Sequence, residues 1–150
     1  MTATIEFSAD AYEAVIAHAR GGAPREVCGV LGGEHRGTEH AGNGHDDDRE
    51  RVRRVRSVHR VENVARSPRR TYLLDPEAQL ATMEEIEANG RDVLGFYHSH
   101  PTGPPRPSAV DERRATWTDY SYVVCLPDPP FVGSWRWSGE EFAPETVSLC

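Results

Sequence analysis

Two histidines, a serine and an aspartate stand at fixed intervals in the stretch GFYHSHPTGPPRPSAVD, at His98, His100, Ser108 and Asp111. If the residues entering His98 form a strand, positions i and i+2 point to the same side, and both imidazoles face one point in space. Two imidazole nitrogens and a carboxylate oxygen make a three-donor set for a tetrahedral zinc that keeps its fourth position for water, as catalytic zinc sites do. Pro101 biases His100 towards an extended conformation, and Pro104, Pro105 and Pro107 stiffen the connector. Ser108 and Asp111 also read as a capping-box variant, N-cap and N3 of a helix, which accounts for that pair without the histidines. Capping and ligation can coexist. In a chain of this composition the four residue types fall at four such positions by chance about once in a thousand.

The elements that must carry these residues follow from periodicity and punctuation. TIEF reads as a short strand, and Ser8 as the N-cap of a helix whose Tyr12, Val15, Ile16 and Ala19 share a face and which Gly21 and Gly22 stop. EVCGVLGG, Glu26 to Gly33, is an apolar run closed by glycines and predicts a buried strand, followed by a polar, acidic loop or hairpin tip containing His35, His40 and His45. From Arg54 to Val61 a period of two sets Arg54, Arg56 and Arg60 against Val55, Ser57, His59 and Val61, although valines also recur every third residue. TYLL predicts a further strand. Asp75-Pro76 predicts the start of a helix that ends near Asn89-Gly90. DVLGFYHSH predicts a strand, SAVDERRAT a short helix and SYVVCLPD a strand, with a hairpin and a tail strand around Val147 behind them. The class is α+β or mixed α/β, in a single domain of 150 residues.

Composition narrows the partners. The 17 basic residues are all arginine, and against 24 acids they leave a formal charge of -7, which argues against nucleic acid and anionic membrane as partners. A lysine-free acidic chain fits a high-salt cytoplasm or a GC-rich genome. No signal segment and no long apolar run is present, so a cytoplasmic location is expected. Cys28, Cys125 and Cys150 have no CxxC spacing, and reduced thiols are expected. Cys28 with His98 and Asn63 can be drawn as a thiol protease, but a cysteine inside an apolar run is more simply a buried small hydrophobe. Trp135 and Trp137 read as core or hairpin aromatics, whereas Trp117, near the motif helix, could touch a substrate.

The pattern H-x-H-x7-S-x2-D resembles the signature of the JAMM (MPN-plus) zinc metalloproteases, closest to small stand-alone archaeal desampylase-type members. Asn63 followed by SP, then YLLDPEAQL, then the strand entering His98, keep the family's order. The resemblance implies an MPN-type curved mixed β-sheet flanked by helices, with one Zn2+ per chain at the sheet edge. It implies His98, His100 and Asp111 as metal ligands, Glu26 as general base and then acid, and Ser108 as a donor to the developing oxyanion. The implied substrates are ubiquitin-like small modifier proteins and their lysine conjugates, cut after a Gly-Gly tail. Processing of a sulfur-carrier tail, and a non-catalytic MPN-type scaffold, are the alternatives. For such a modifier Arg54, Arg56 and Arg60, with Asn63 beyond them, are expected to form a docking face.

Overall fold

The computed structural model describes residues 3–36 and 52–150. Strand β1, Thr4–Phe7, hands the chain to Ser8, whose hydroxyl accepts the Ala11 N–H at 3.1 Å and starts helix α1, Ala9–Gly22. The helix buries Ala11, Val15, Ile16 and Ala19, the stripe that its 3.6-residue period creates. Strands β2 (Cys28–Arg36) and β3 (Val52–Val61) pair antiparallel, helix α2 (Pro76–Ala88) follows, and strand β4 (Asp92–Ser99) enters the histidines. Helix α3 (Ala109–Arg114) and strands β5 (Ser121–Pro127), β6 (Pro130–Trp137) and β7 (Phe142–Leu149) complete the order.

The strands close into a ring, β1-β3-β2-β4-β5-β6-β7, with β7 returning to β1. β1 runs parallel to both β3 and β7, and β4 parallel to β5, so the sheet is mixed as expected. One core packs α1 against Ile5, Phe7, Leu31, Val55, Leu94, Tyr97 and Val123. A second packs Met83 and Ile86 of α2 against Val30, Phe96, Tyr122 and Trp137. Adjacent residues of β4, Phe96 and Tyr97, thus feed different cores, and β4 is buried on both faces. Gly95 permits the close approach of β4 and β5, because a Cβ there would overlap the Ser121 carbonyl oxygen.

The sheet-edge position expected for a metal is the rim of the closed ring, where β4 ends and the histidines sit. Other expectations are corrected. TYLL is not a strand: only Leu74 bridges, to Asn63. The β2 strand begins at Cys28, two residues after Glu26, and continues through Glu34 and His35 to Arg36, so the polar segment starts later than its composition suggests. His35 is not in a solvated tip but bonded through Nδ1 to Asp92 at 3.1 Å; His40 and His45 lie outside the described residues.

The alternation in β3 is broken by a bulge. Gly32 pairs with Ser57 and Gly33 with Val55, which leaves Arg56 as the extra residue. Val55 and Val58 therefore join the same core although three apart, whereas Val61 joins the other. Arg54 donates to Glu6 at 2.9 and 3.0 Å and Arg56 to Glu34 at 2.8 and 3.0 Å. Arg60 lies beyond the bulge, two residues from Val58, and its charge acts on His18 of α1. Arg54, Arg56 and Arg60 therefore do not follow one simple alternation, and the first two pair with carboxylates of neighbouring strands.

Candidate metal centre

His98 is held by strands on both sides, opposite Cys28 of β2 and Val124 of β5. His100 lies just past β4, yet its N–H still donates to the Cys125 carbonyl at 2.9 Å, which extends the β5 pairing to the second ligand candidate. The His100 Nδ1 stands 2.9 Å from the Pro104 carbonyl oxygen, which can only accept, so the neutral ring carries its proton on Nδ1 and turns Nε2 inward. Tyr72 stacks on the His98 ring, centroids 4.0 Å apart and planes at 17°, and sets its orientation. Asp111 comes from α3 through a complete capping box, with Asp111 N–H on Ser108 Oγ at 3.0 Å and Ser108 N–H on Asp111 Oδ2 at 2.8 Å.

Three atoms from these elements converge. His98 Nε2 and His100 Nε2 are 3.1 Å apart, and Asp111 Oδ2 is 3.0 Å from the first and 3.1 Å from the second. Two donors on a tetrahedral zinc stand about 3.3 Å apart, so the set fits that ion with a few tenths of an ångström of expansion. Glu26 offers another carboxylate, and the donor atoms of Glu26, His98 and His100 lie within 4.8 Å of one another. Asp111 approaches both imidazoles more closely, so it fits as a third donor, with Glu26 beside the group. Glu26 is buried, and its Oε1 has no hydrogen-bond partner among the described residues, the condition of a side chain whose partner is not part of the protein.

Glu26 precedes β2; its N–H donates to the Pro68 carbonyl, and the side chains of Ser99 and Asn63 hold the segment around it. The Ser99 N–H donates to the Val27 carbonyl at 2.9 Å while the Ser99 hydroxyl accepts the Val27 N–H at 2.8 Å. The middle residue of HSH thus points away from the metal side and ties the Glu26 segment to β4. Asn63 does the rest: Nδ2 donates to the carbonyls of Glu26 at 2.9 Å and Thr71 at 3.1 Å, and Oδ1 accepts from Ala65 at 3.0 Å and Leu73 at 2.9 Å. An amide has two donors and two acceptor sites, and all four are engaged. The Asn63 side chain thus positions Glu26 and the 63–73 segment. A polar residue in the middle of a buried strand was the signal for Ser99; Tyr72 had none, because stacking on His98 arises only once the chain has folded back.

The electrostatics divide the roles. Burial pushes the Glu26 carboxyl up to about 7, with Asp111 adding to the shift and His100 opposing it. Burial alone would raise Asp111 as well, but hydrogen bonds with His100 and His98 and from the Ser108 N–H overcome it and hold the carboxyl well below the ordinary range. One carboxylate stays charged beside the imidazoles and the other sits where it can take or give a proton near neutrality. Burial also lowers His98, keeping it neutral and able to ligate. The thiol-protease reading does not survive: Cys28 is fully buried, its Sγ faces the Val61 carbonyl at 3.4 Å, and burial and then Glu26 push the thiol up to about 12.

A family model described as prokaryotic homologs of the JAB domain matches residues 8–138. A desampylase from Haloferax volcanii is 42% identical over 149 residues, covering 97% of this chain and 96% of that protein. A CysO-cysteine peptidase from Mycobacterium tuberculosis is 33% identical over 116 residues, covering 77% of this chain and 68% of that protein. The solution structure of a protein from Desulfitobacterium hafniense superimposes with a TM-score of 0.79 at 32% identity, covering 97% of this chain and 92% of the other.

Proposed function

This chain belongs to the family of prokaryotic homologs of the JAB domain, and from that premise we propose that it is a zinc-dependent isopeptidase and peptidase that cuts after the Gly-Gly tail of ubiquitin-like modifier proteins. The similarity to a desampylase over nearly the whole of both chains supports the substrate class. The observation that carries the chemistry is the meeting of His98 Nε2, His100 Nε2 and Asp111 Oδ2 at 3.0–3.1 Å beside the partnerless Glu26 Oε1. His98, His100 and Asp111 would hold the zinc, which when bound supplies Lewis acidity and lowers the pKa of a coordinated water towards about 7. Glu26, poised near neutrality, takes a proton from the attacking water and returns it to the leaving amine. The Ser108 hydroxyl accepts the Asp111 N–H through its oxygen and keeps its own hydrogen for the carbonyl oxygen of the scissile bond, where negative charge develops.

Release of a residue from a sulfur-carrier tail uses the same chemistry, and the CysO-cysteine peptidase relative makes it the second reading. A purely scaffolding role leaves the complete donor set and the partnerless Glu26 without a task. The test is hydrolysis of modifier–lysine conjugates and linear tail fusions by the zinc-loaded and the chelated protein. Glu26→Gln should keep one equivalent of zinc and lose turnover, whereas His98→Ala and Asp111→Ala should lose both. Full activity after thorough chelation, or native turnover by Glu26→Gln, would overturn the reading.

A further inference from the structure

The turn between Asn63 and Tyr72 carries charge that no described side chain balances. Arg66, Arg69 and Arg70 are all exposed, and among the described residues none of their guanidinium groups has a hydrogen-bond or ion-pair partner. The Ser67 carbonyl accepts the N–H groups of Arg70 at 2.9 Å and Thr71 at 3.0 Å, so residues 67–71 close on themselves and hold the arginines in one tight loop. Arg25 joins them. It too is exposed and without a described side-chain partner, and the N–H of the next residue, Glu26, donates to the Pro68 carbonyl at 2.6 Å. The acids on either side of the turn, Glu62 and Asp75, pair with none of these arginines among the described residues, and Asp75 is occupied as the N-cap of α2. On a chain of formal charge -7 this grouping reverses the sign of the local field.

Two contacts set the turn beside the metal centre. Pro68 is bonded to Glu26, and Tyr72, two residues beyond Arg70, stacks on His98. Glu26 returns a proton to the leaving amine, so that amine must come within hydrogen-bond reach of its carboxylate. In an isopeptide the amine is the side-chain nitrogen of a lysine, and the chain that carries the lysine therefore passes over the segment around Glu26. While acylated, this nitrogen is uncharged and gives a guanidinium nothing to pair with. What the arginines meet is the residues on either side of the lysine. Their planar forks pair with carboxylates, and their charge is fixed.

We propose that Arg25, Arg66, Arg69 and Arg70 form a docking surface for the target protein, the partner on the amine side of the scissile bond, and that they select lysines flanked by aspartate or glutamate. The proposal rests on the functional reading above and deepens it. A basic flank is turned away by the same charges, so the surface discriminates by repulsion as well as by attraction.

The experiment uses the zinc-loaded protein and a tail peptide ending in Gly-Gly, joined to the side-chain amine of a lysine in a second peptide. Two glutamates, two glutamines or two arginines stand on each side of that lysine. At low ionic strength kcat/KM should fall in that order, by at least about tenfold from glutamate to arginine, and the three should converge as salt shortens the screening length to about 3 Å at 1 M. Arg66→Glu with Arg69→Glu and Arg70→Glu should invert the order, and the same three positions changed to Gln should level it. Tm and zinc content report whether each variant is folded, and if the Glu variant fails to fold the Gln variant decides. Equal kcat/KM for the three peptides at low salt would overturn the docking surface and leave the function standing. Retention of the native order in folded variants would also overturn it, as would a preference that follows acids placed before Gly-Gly in the tail and ignores those around the lysine. Absence of zinc-dependent cleavage of every peptide and protein conjugate would overturn the functional reading itself.

Discussion

Asn63→Ala separates positioning of the base from binding of the metal. The substitution removes four hydrogen bonds, to Glu26, Thr71, Ala65 and Leu73. At about 0.5–1.5 kcal/mol each these sum to about 2–6 kcal/mol. Asn63 is half-buried and Leu73 exposed, so water takes over part of the loss and about 2–4 kcal/mol remains. On a chain of 150 residues that is a fall of about 5–15 °C in Tm. The donors on His98, His100 and Asp111 come from the end of β4 and from α3, which Asn63 does not touch, and zinc should still bind at one equivalent. Glu26 loses the bond to its carbonyl, one of the contacts that hold its backbone, and a displacement near 1 Å can cost about 100-fold in kcat. Asn63→Asp is the harsher variant: it keeps the two acceptor bonds but sets a carboxylate oxygen against the carbonyls of Glu26 and Thr71, and should be no more stable than Asn63→Ala while sharing its kcat defect. Thermal unfolding, metal analysis and hydrolysis of a tail peptide read the three quantities. Native kcat in a destabilised Asn63→Ala protein would refute the link to Glu26, and an unchanged Tm would refute the hydrogen-bond accounting.

Other outcomes follow from the same geometry. In the metal-free protein the raised Glu26 carboxyl stabilises the fold fully below about pH 4.5 and loses that contribution as pH rises through about 7, so Glu26→Gln should flatten this fall in urea midpoint. His18 works in the opposite sense: burial and then Arg60 push it down to about 4, so stability present above pH 6.5 is lost towards pH 4, and His18→Gln should flatten that acid limb. Ser108→Ala removes the N-cap of α3, costing about 1 kcal/mol in Tm measurements, and should slow turnover less than Glu26→Gln does. Gly95→Ala drives a Cβ into the Ser121 carbonyl and should destabilise by about 3 kcal/mol or more, seen as loss of soluble folded protein.

The meeting of His98, His100 and Asp111 was legible because its logic is local. Alternation along one strand sends His98 and His100 to one side, and a capping box makes Ser108 and Asp111 start a helix, and neither statement needs the rest of the chain. What the sequence concealed depends on groups far apart in it. TYLL has the composition of a strand, but its main chain is held by a side-chain amide eight to ten residues upstream, and hydropathy does not register such a partner. The valines at every third position of β3 were the trace of a bulge: Val55 and Val58 face one core because Arg56 is inserted between them. Arg54 and Arg56 looked available because the carboxylates of Glu6 and Glu34 lie on neighbouring strands. Ser99 had a signal, a hydroxyl at a fully buried strand position, and the rule that such groups find partners was sufficient to expect one.

One atom joins the helix cap to the ligand set. Asp111 Oδ2 accepts the Ser108 N–H at 2.8 Å and lies 3.0 and 3.1 Å from the two histidine nitrogens. A helix of six residues has too few internal hydrogen bonds to persist by itself. Its order comes from its cap, and the cap oxygen is in turn drawn in by the imidazoles at the end of β4. The proline-rich connector between His100 and Ser108 narrows the conformations that must be given up for this closure, and the bond that His100 Nδ1 donates to the Pro104 carbonyl fixes the ring at its start. Ligand, cap and connector therefore order one another. A cation at the three donors would strengthen the Asp111 end of that chain of contacts, so the loop that shapes the Ser108 side of the site should be most protected from proteolysis with zinc added and less so after chelation.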